Sequence, residues 1–545
     1  MKRFVVGLAL AACLGSPAFA ISPQTVEIGG QTATRIVIAP PETDLARTIK
    51  LGLKQAMSEA GGGATFNDAL KLYYFYGARH FEPLWLDQRH DGDIAWSMNA
   101  QKIMEAFYKA GYSGLDPDDY LDPAFQTAPD AGDPMKLAAL ETMFSDAALR
   151  YASHLHSGRI DPKSVSSSIS AAPHQLDATE TLMALAATDD PAAYFQSVEP
   201  QHREYQDLKR ILIDYTAGRV EQAVSIPDGP MLRPGGSDER LPLLRQRLKL
   251  PAIEDDPFAY DDATLAAVEA FQQSLDLLVD GIVGPATVAA LNGGEATSRG
   301  DIVANMERWR WMPSDLGAYH VSVNIPEFRL AIVDDGAVTF TTRVVTGKPV
   351  HMTPVFSDEI ETVVVNPYWN VPSSIAVNEI GPILANNPGY IANNNMELLS
   401  GGKVVDASAV DWSATSVRNF SIRQRPGASN ALGSIKFLFP NSNNVYLHDT
   451  PSKSLFERSF RAYSHGCVRV QNPWDFADAL LSHETKVTLA GLESQRGGRE
   501  TWNSLDRHIP VHLMYFTLRA DADGTIHSYG DVYGHNQKLK ELLGV

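Results

Sequence analysis

The period of the apolar positions changes along the chain. From about residue 40 to 222 it is helical, with aromatic residues concentrated in LKLYYFYGARHFEPLWL, IMEAFYKAGYSGLDPDDY and ETMFSDAALRYASHLHSGRIDP. Gly114 to Pro117 and Gly158 to Pro162 supply stops and turns between these helices. The aromatic side chains read as core, and no catalytic constellation stands out among them. Residues 224–240, VSIPDGPMLRPGGSDER, read as a Pro/Gly-rich linker. A compact helical unit follows over 241–292, where Leu265, Val268, Phe271 and Leu275 form one apolar face ahead of the turn Asp280 to Pro285 and a further short helix.

After GGEATSRG the period shortens to two. HVSVNIPEFRLAIV alternates in two arms, and TVVVNPYWNVP, IKFLF, NVYLH and KVTLAG behave alike, which predicts a β-rich domain over 301–500. Inside it, residues 373–418 break the strand rhythm with IGPILANNPGYIANNNMELL and read as an insertion, the kind of segment that forms lids. The tail, 501–545, predicts a hairpin packed back on that domain as an extension. The fold class is therefore multidomain α+β: a helical N-terminal domain, a small helical domain, and a β-rich domain with an inserted capping subdomain.

Composition narrows the possibilities. With 44% hydrophobic and 20% charged residues the chain is ordinary globular material, and a net charge of -19 argues against capture of nucleic acid or an anionic membrane by bulk electrostatics. The opening MKRFVVGLALAACLGSPAFA has two cations, a short apolar run and a small-residue end, the layout of a signal removed on export. That reading sets residues 1–20 apart, starts the mature chain at Ile21 and predicts the periplasm. An alternative uses Leu10 to Cys13 as a lipobox, leaving a membrane lipoprotein anchored through Cys13.

Only two cysteines occur, Cys13 and Cys467, so the mature chain has no intrachain disulfide. Cys467 sits in YSHGCVRVQN. A free thiol, with a pKa of about 8.5, needs a partner to take its proton before it acts as a nucleophile. His465 is two residues away, but Gly466 between them suggests a bent backbone. His448 ends the strand VYLH, with fifteen residues between it and Ser464, and a loop of that length returns the imidazole to the thiol as general base. Asn472 and Pro473 start a helix that fixes the cysteine loop, and the N–H groups of Gly466 and Cys467 offer an oxyanion hole. Arg469 either lowers the thiol pKa, holds a substrate carboxylate, or makes a surface salt bridge. Asp449 either orients the imidazole or serves the turn. Ligand spacing such as H-E-x-x-H is absent, so no metal or other cofactor is expected.

The combination H-x15-S-H-G-C-V-R resembles the signature of the YkuD-type L,D-transpeptidases. The resemblance implies that His448 is the base and Cys467 the acylated nucleophile, with His465 and Gly466 beside them. Many members carry Asn where this chain has Arg469. LRQRL, AVEAFQ and DGIVGPAT resemble the small peptidoglycan-binding domain of wall enzymes. FYGARHFEPLWLD, GLDPDDY and GRIDP resemble the scaffold domain of the large YcbB-like murein L,D-transpeptidases, and RWRWMP, NPYWNVPSSIA and RPGASNALGSIKFLFPN resemble their catalytic core; 373–418 lies where those enzymes carry a capping subdomain.

What the resemblance implies is acyl transfer in peptidoglycan. Cys467 would take a tetrapeptide stem as a thioester, and the amine of a second diaminopimelate would resolve it into a 3-3 cross-link. Ser464, Arg469, Tyr446, Trp369 and Arg425 are the expected substrate contacts. Carbapenem-type β-lactams are expected covalent inhibitors, and other wall-synthesis proteins are candidate partners. Two rival readings remain: a cysteine L,D-carboxypeptidase or endopeptidase with water as acceptor, and a noncatalytic peptidoglycan-binding scaffold.

Overall fold

A computed structural model of the protein describes residues 24–28, 31–35, 38–61, 63–89, 93–130, 132–219, 224–274, 277–292, 297–521 and 525–545. The expected export signal, Cys13 and Leu275 lie outside them. The chain forms two compact units, the first running to Gly111 and adding Leu115–His154 and Gln175–Val198. The second takes Tyr112–Gly114, Leu155–His174 and Glu199–Val545.

The first unit is helical, as the periodicity predicts. The Thr43 and Ser97 side chains cap the helices Asp44–Ala60 and Met98–Tyr108, each accepting one of the N–H groups that a helix start leaves unpaired. Its aromatic residues are core: Trp85, Phe107, Tyr120 and Phe144 are buried in mutual ring contact. Beneath them Glu141 is fully buried, accepts from Tyr76 Oη at 2.7 Å and from the N–H groups of Leu84 and Trp85, and is lifted to a pKa of about 7 by burial.

The second unit contains several apolar clusters. The small helical domain closes over Leu241, Leu244, Val268, Val283, Val288 and Leu291. Ile226 and Leu232 are buried in the same cluster, and Leu232 bridges to Val283, so much of the stretch expected to be a linker belongs to this domain. A second cluster joins the helices Arg203–Thr216, Arg299–Trp309 and His535–Leu543.

The largest cluster lies within a nine-stranded mixed sheet. In chain order its strands are β1 (Tyr319–Asn324), β2 (Arg329–Asp334), β3 (Ala337–Gly347), β4 (Phe356–Val365), β5 (Ile435–Leu438), β6 (Leu447–His448), β7 (Ala462–Ser464), β8 (Val468–Val470) and β9 (Thr501–Met514). They pair as β7-β3-β8-β6-β5-β4-β9-β1-β2, and β2 returns to β3, which closes the sheet on itself. Closure leaves few open strand edges and encloses the alternating Val, Ile and Phe positions.

Two expectations are corrected here. KVTLAG is not a strand: Thr488 caps the helix Leu489–Glu493 instead. Nor is 501–545 merely an extension packed on the domain, because β9 lies between β4 and β1 inside the sheet. The interruption at 373–418 supplies two strands, Met396–Ser400 and Lys403–Val405, of a second, four-stranded sheet completed by Trp369–Asn370 and Ser421–Gln424 on either side of it, with a separate apolar cluster around Ile380, Leu384, Leu398 and Ile422.

Candidate active site

Strand pairing by itself assembles the site. β5 places Lys436 opposite His448, and the parallel pair β6/β8 places His448 opposite Arg469. Side chains two residues apart on a strand share a face, so Tyr446 joins His448 and Cys467 joins Arg469. Five polar side chains thus converge over one face of β5, β6 and β8. The rings of Tyr446 and His448 meet edge to face at 5.7 Å, and Lys436 Nζ lies 5.7 Å from the Tyr446 ring and 5.4 Å from that of Trp502.

His448 is buried, with Nδ1 on the Asp449 main-chain carbonyl at 2.5 Å. A carbonyl only accepts, so Nδ1 carries the proton and Nε2 is left with a free lone pair. Asp449 therefore orients the imidazole through its backbone. Its carboxylate is engaged elsewhere, by Ser434 N–H and Oγ at 2.9 Å and by Lys453 Nζ at 2.8 Å.

Burial sets the resting protonation of both the thiol and the imidazole. Burial pushes the Cys467 thiol up, outweighing the opposing pull of Tyr446, Arg469 and Lys436. Burial, reinforced by Arg469, pushes His448 down to about 3. Both changes favour the neutral forms: a thiol, whose Sγ lies 3.9 Å from the Asn444 carbonyl, and an unprotonated imidazole on the same face. Arg469 makes no ion pair among the described residues, and its Nε is buried without a hydrogen-bond partner, so the surface salt bridge considered for it is absent.

Several other candidates are committed elsewhere. Ser464 Oγ donates to the Cys467 carbonyl at 2.5 Å and accepts the Gly466 N–H at 3.1 Å, which makes it a loop staple and not a substrate contact. Gly466, at φ +115°, adopts a conformation that favours glycine. Its N–H is taken by Ser464, so only the Cys467 N–H of the expected oxyanion pair lacks an acceptor among the described residues. His465 is engaged away from the thiol: Nε2 lies 2.7 Å from Glu379 of the insertion and 3.3 Å from Lys348 Nζ, and its ring is 4.9 Å from that of His351. Trp369 lies in the small sheet opposite Gln424, and Arg425 directly follows the strand Ser421–Gln424, its guanidinium paired with Glu397 at 2.7 Å. Asn472 makes no side-chain cap, although Pro473 does begin the helix Pro473–Leu480.

Lys436 and Trp502 were not among the expected site residues. A lone cation in the apolar run IKFLF was the available signal for Lys436; Trp502 depends on β9 entering the sheet. Among the described residues no group of three or more His, Cys, Asp or Glu side chains is arranged to hold a metal ion.

Three stretches of the chain match known protein families. Residues 318–489 match the YkuD family, described as the L,D-transpeptidase catalytic domain; residues 71–212 match a scaffold domain and 247–291 a peptidoglycan-binding domain. A protein of Haemophilus influenzae named "Putative L,D-transpeptidase" is 34% identical over 243 residues, covering 44% of this chain and 48% of the relative, so the match spans about half the relative's length. Among solved structures, an L,D-transpeptidase of Xylanimonas cellulosilytica is 18% identical, with 53% of this chain and 99% of that chain covered and a TM-score of 0.15. One from Mycobacterium smegmatis is 12% identical, with 36% and 58% covered and a TM-score of 0.17.

Proposed function

Since the chain carries a YkuD-type L,D-transpeptidase catalytic domain together with scaffold and peptidoglycan-binding domains, we propose that it forms 3-3 cross-links in peptidoglycan through a thioester on Cys467. The observation that carries this reading is the shared face of Tyr446, His448, Cys467 and Arg469, with the His448 Nδ1 proton tied to a carbonyl.

The resting neutral pair defines the order of events. As the sulfur attacks the carbonyl of the third stem residue, diaminopimelate, its proton passes to His448 Nε2. The resulting imidazolium gives that proton to the departing D-alanine nitrogen as the C–N bond breaks. Cys467 N–H and Tyr446 Oη supply hydrogen bonds to the oxyanion. An acceptor diaminopimelate amine then attacks the thioester, His448 takes its proton, and the thiol recovers it on release. The unpaired Arg469 guanidinium is suited to a donor carboxylate. A cap over the site favours amine over water in the second step. The signal-like first twenty residues would deliver the protein to the periplasm, where its substrate lies.

Intact-protein mass spectrometry with a carbapenem tests the acyl step. The wild type should gain one adduct, Cys467→Ala none, and His448→Gln should be acylated about 10²- to 10⁴-fold more slowly. Incubation with tetrapeptide-rich sacculi then reads the acceptor: 3-3 dimers support the transpeptidase, whereas tripeptide monomers alone would make it a hydrolase.

A further inference from the structure

The peptide bond between Gly466 and Cys467 carries both the Gly466 carbonyl and the Cys467 N–H. Because that unit is planar and trans, whatever holds the carbonyl also aims the N–H in the opposite direction. Thr353 holds it. This side chain is fully buried, and its Oγ1 donates to the Gly466 carbonyl at 2.7 Å while accepting the Gly347 N–H at 2.8 Å. The hydroxyl's one proton is thereby committed to the nucleophile loop.

Thr353 is in turn held by the end of the chain. Tyr533 Oη accepts the Thr353 N–H at 3.1 Å and donates to the Gly347 carbonyl at 2.7 Å. The Tyr533 N–H donates to Tyr515 Oη at 2.7 Å, and Tyr515 Oη in turn donates to Asp531 Oδ1 at 2.6 Å. Every hydroxyl in the series accepts one bond and donates one. The turn that brings Thr353 to the loop needs a glycine at 347: a Cβ there would lie 2.1 Å from the His351 carbonyl and 2.7 Å from the Thr353 nitrogen.

We propose that Thr353, buttressed by Tyr533, is a positioning residue that locks the Gly466–Cys467 peptide so that the Cys467 N–H faces the oxyanion of the acyl-transfer step. Ser464 complements it from the other side, taking the Gly466 N–H and the Cys467 carbonyl. A hydrogen bond to the carbonyl also polarises the N–H on the same peptide, strengthening it as a donor. The proposal rests on the acyl-transfer reading, and its test separates the two.

Thr353→Val removes the hydroxyl at nearly constant volume; Thr353→Ser keeps it. Acylation by a carbapenem develops an oxyanion, whereas alkylation of the same thiol by iodoacetamide develops none. Thr353→Val should slow acylation by about 10- to 100-fold, below the full loss of an oxyanion donor, and leave alkylation within about twofold. Thr353→Ser should restore acylation to within about threefold of wild type. Tyr533→Phe, which removes the buttress and keeps the threonine, should give a smaller slowing of about 3- to 10-fold with alkylation again preserved, and it serves if the valine variant does not fold. Equal slowing of acylation and alkylation, wild-type acylation in the valine and phenylalanine variants, or failure of serine to rescue would each overturn the inference. Absence of any adduct on wild-type Cys467 would instead overturn the acyl-transfer reading, and this inference with it.

Discussion

Residues 373–418 and 501–545 both look like additions to a β-rich domain, yet the fold treats them in opposite ways. The first segment forms half of a separate four-stranded sheet, completed by the strands on either side of it, and supports a separate apolar cluster, and one of its links to the cysteine loop is the exposed pair Glu379–His465 at 2.7 Å. The second contributes β9, hydrogen-bonded to β4 on one side and β1 on the other, and then the tyrosines that set the Thr353 turn. An insertion in the middle of a domain is here a semi-independent island, and a terminal tail is part of the core. Position in the chain says little about structural weight; hydrogen-bonded neighbours and buried surface do.

Removing each segment would break or sharpen this contrast. Truncation after Glu500 should abolish the folded catalytic domain, measured as loss of cooperative thermal unfolding. Leu505, Ile509, Val511 and Leu513 are all buried, and losing their burial costs about 6–12 kcal/mol, comparable with the whole stability of a domain. Replacing 373–418 by a short linker should leave a cooperative transition and a thiol still acylated by a carbapenem. A truncated chain that keeps its transition, or an excised one that loses it, would reverse the assignment.

Acid should act on the same contrast with intermediate strength. Burial lowers His512 in β9 to about 4 and His535 in the terminal helix to about 4, whereas 373–418 contains no histidine. The unfolded chain takes up protons below about pH 6.5 and the folded chain does not, so their contribution to stability is present above pH 6.5 and is lost as the pH falls toward 4. The thermal midpoint should decline over that window, and His512→Gln should flatten the decline. An unchanged slope in that variant would remove His512 as a contributor.

The smallest effect is expected at the link itself. Glu379→Ala removes an exposed pair worth at most about 1 kcal/mol, so it should leave the thermal midpoint and the acylation rate nearly unchanged. Looser capping should show instead as more hydrolysed thioester relative to cross-linked product. A large fall in acylation would place the insertion within the acyl-forming machinery.

Much of the site was legible because its clues are local. His448 and Cys467 stand out by residue type and spacing, and strand alternation puts Tyr446 and Arg469 beside them. β9 is obscured because its register shifts between Ser504 and Ile509, where Asp506 and Arg507 interrupt the alternation, and Pro510 follows directly. A proline inside a strand reads as a stop; Pro510 sits just past the shift, opposite Glu359 and one residue before the pairing with β1 begins. Ser464 was misjudged for a related reason: its hydroxyl looks free in the sequence and is spent within three residues on the loop's own backbone. Arg425 looked available for substrate, but the strand opposite carries its counter-ion, Glu397.

By itself the amino-acid sequence determined the α+β class, the existence of the helical and β-rich parts, and Cys467 and His448 as the candidate nucleophile and base, all of which depend on period and spacing over tens of residues. Only the tertiary structure decided that burial favours the thiol form of Cys467, that the His448 ring meets the Asp449 carbonyl and not its carboxylate, and that Thr353, held by Tyr533, donates to the Gly466 carbonyl. Those outcomes are set by desolvation, by the backbone geometry that turns the Asp449 carbonyl onto the neighbouring imidazole, and by hydrogen bonds between residues more than a hundred positions apart, such as Thr353 with Gly466 and with Tyr533. No local pattern records them, because the partner and the exclusion of water come into being together only when the sheet closes.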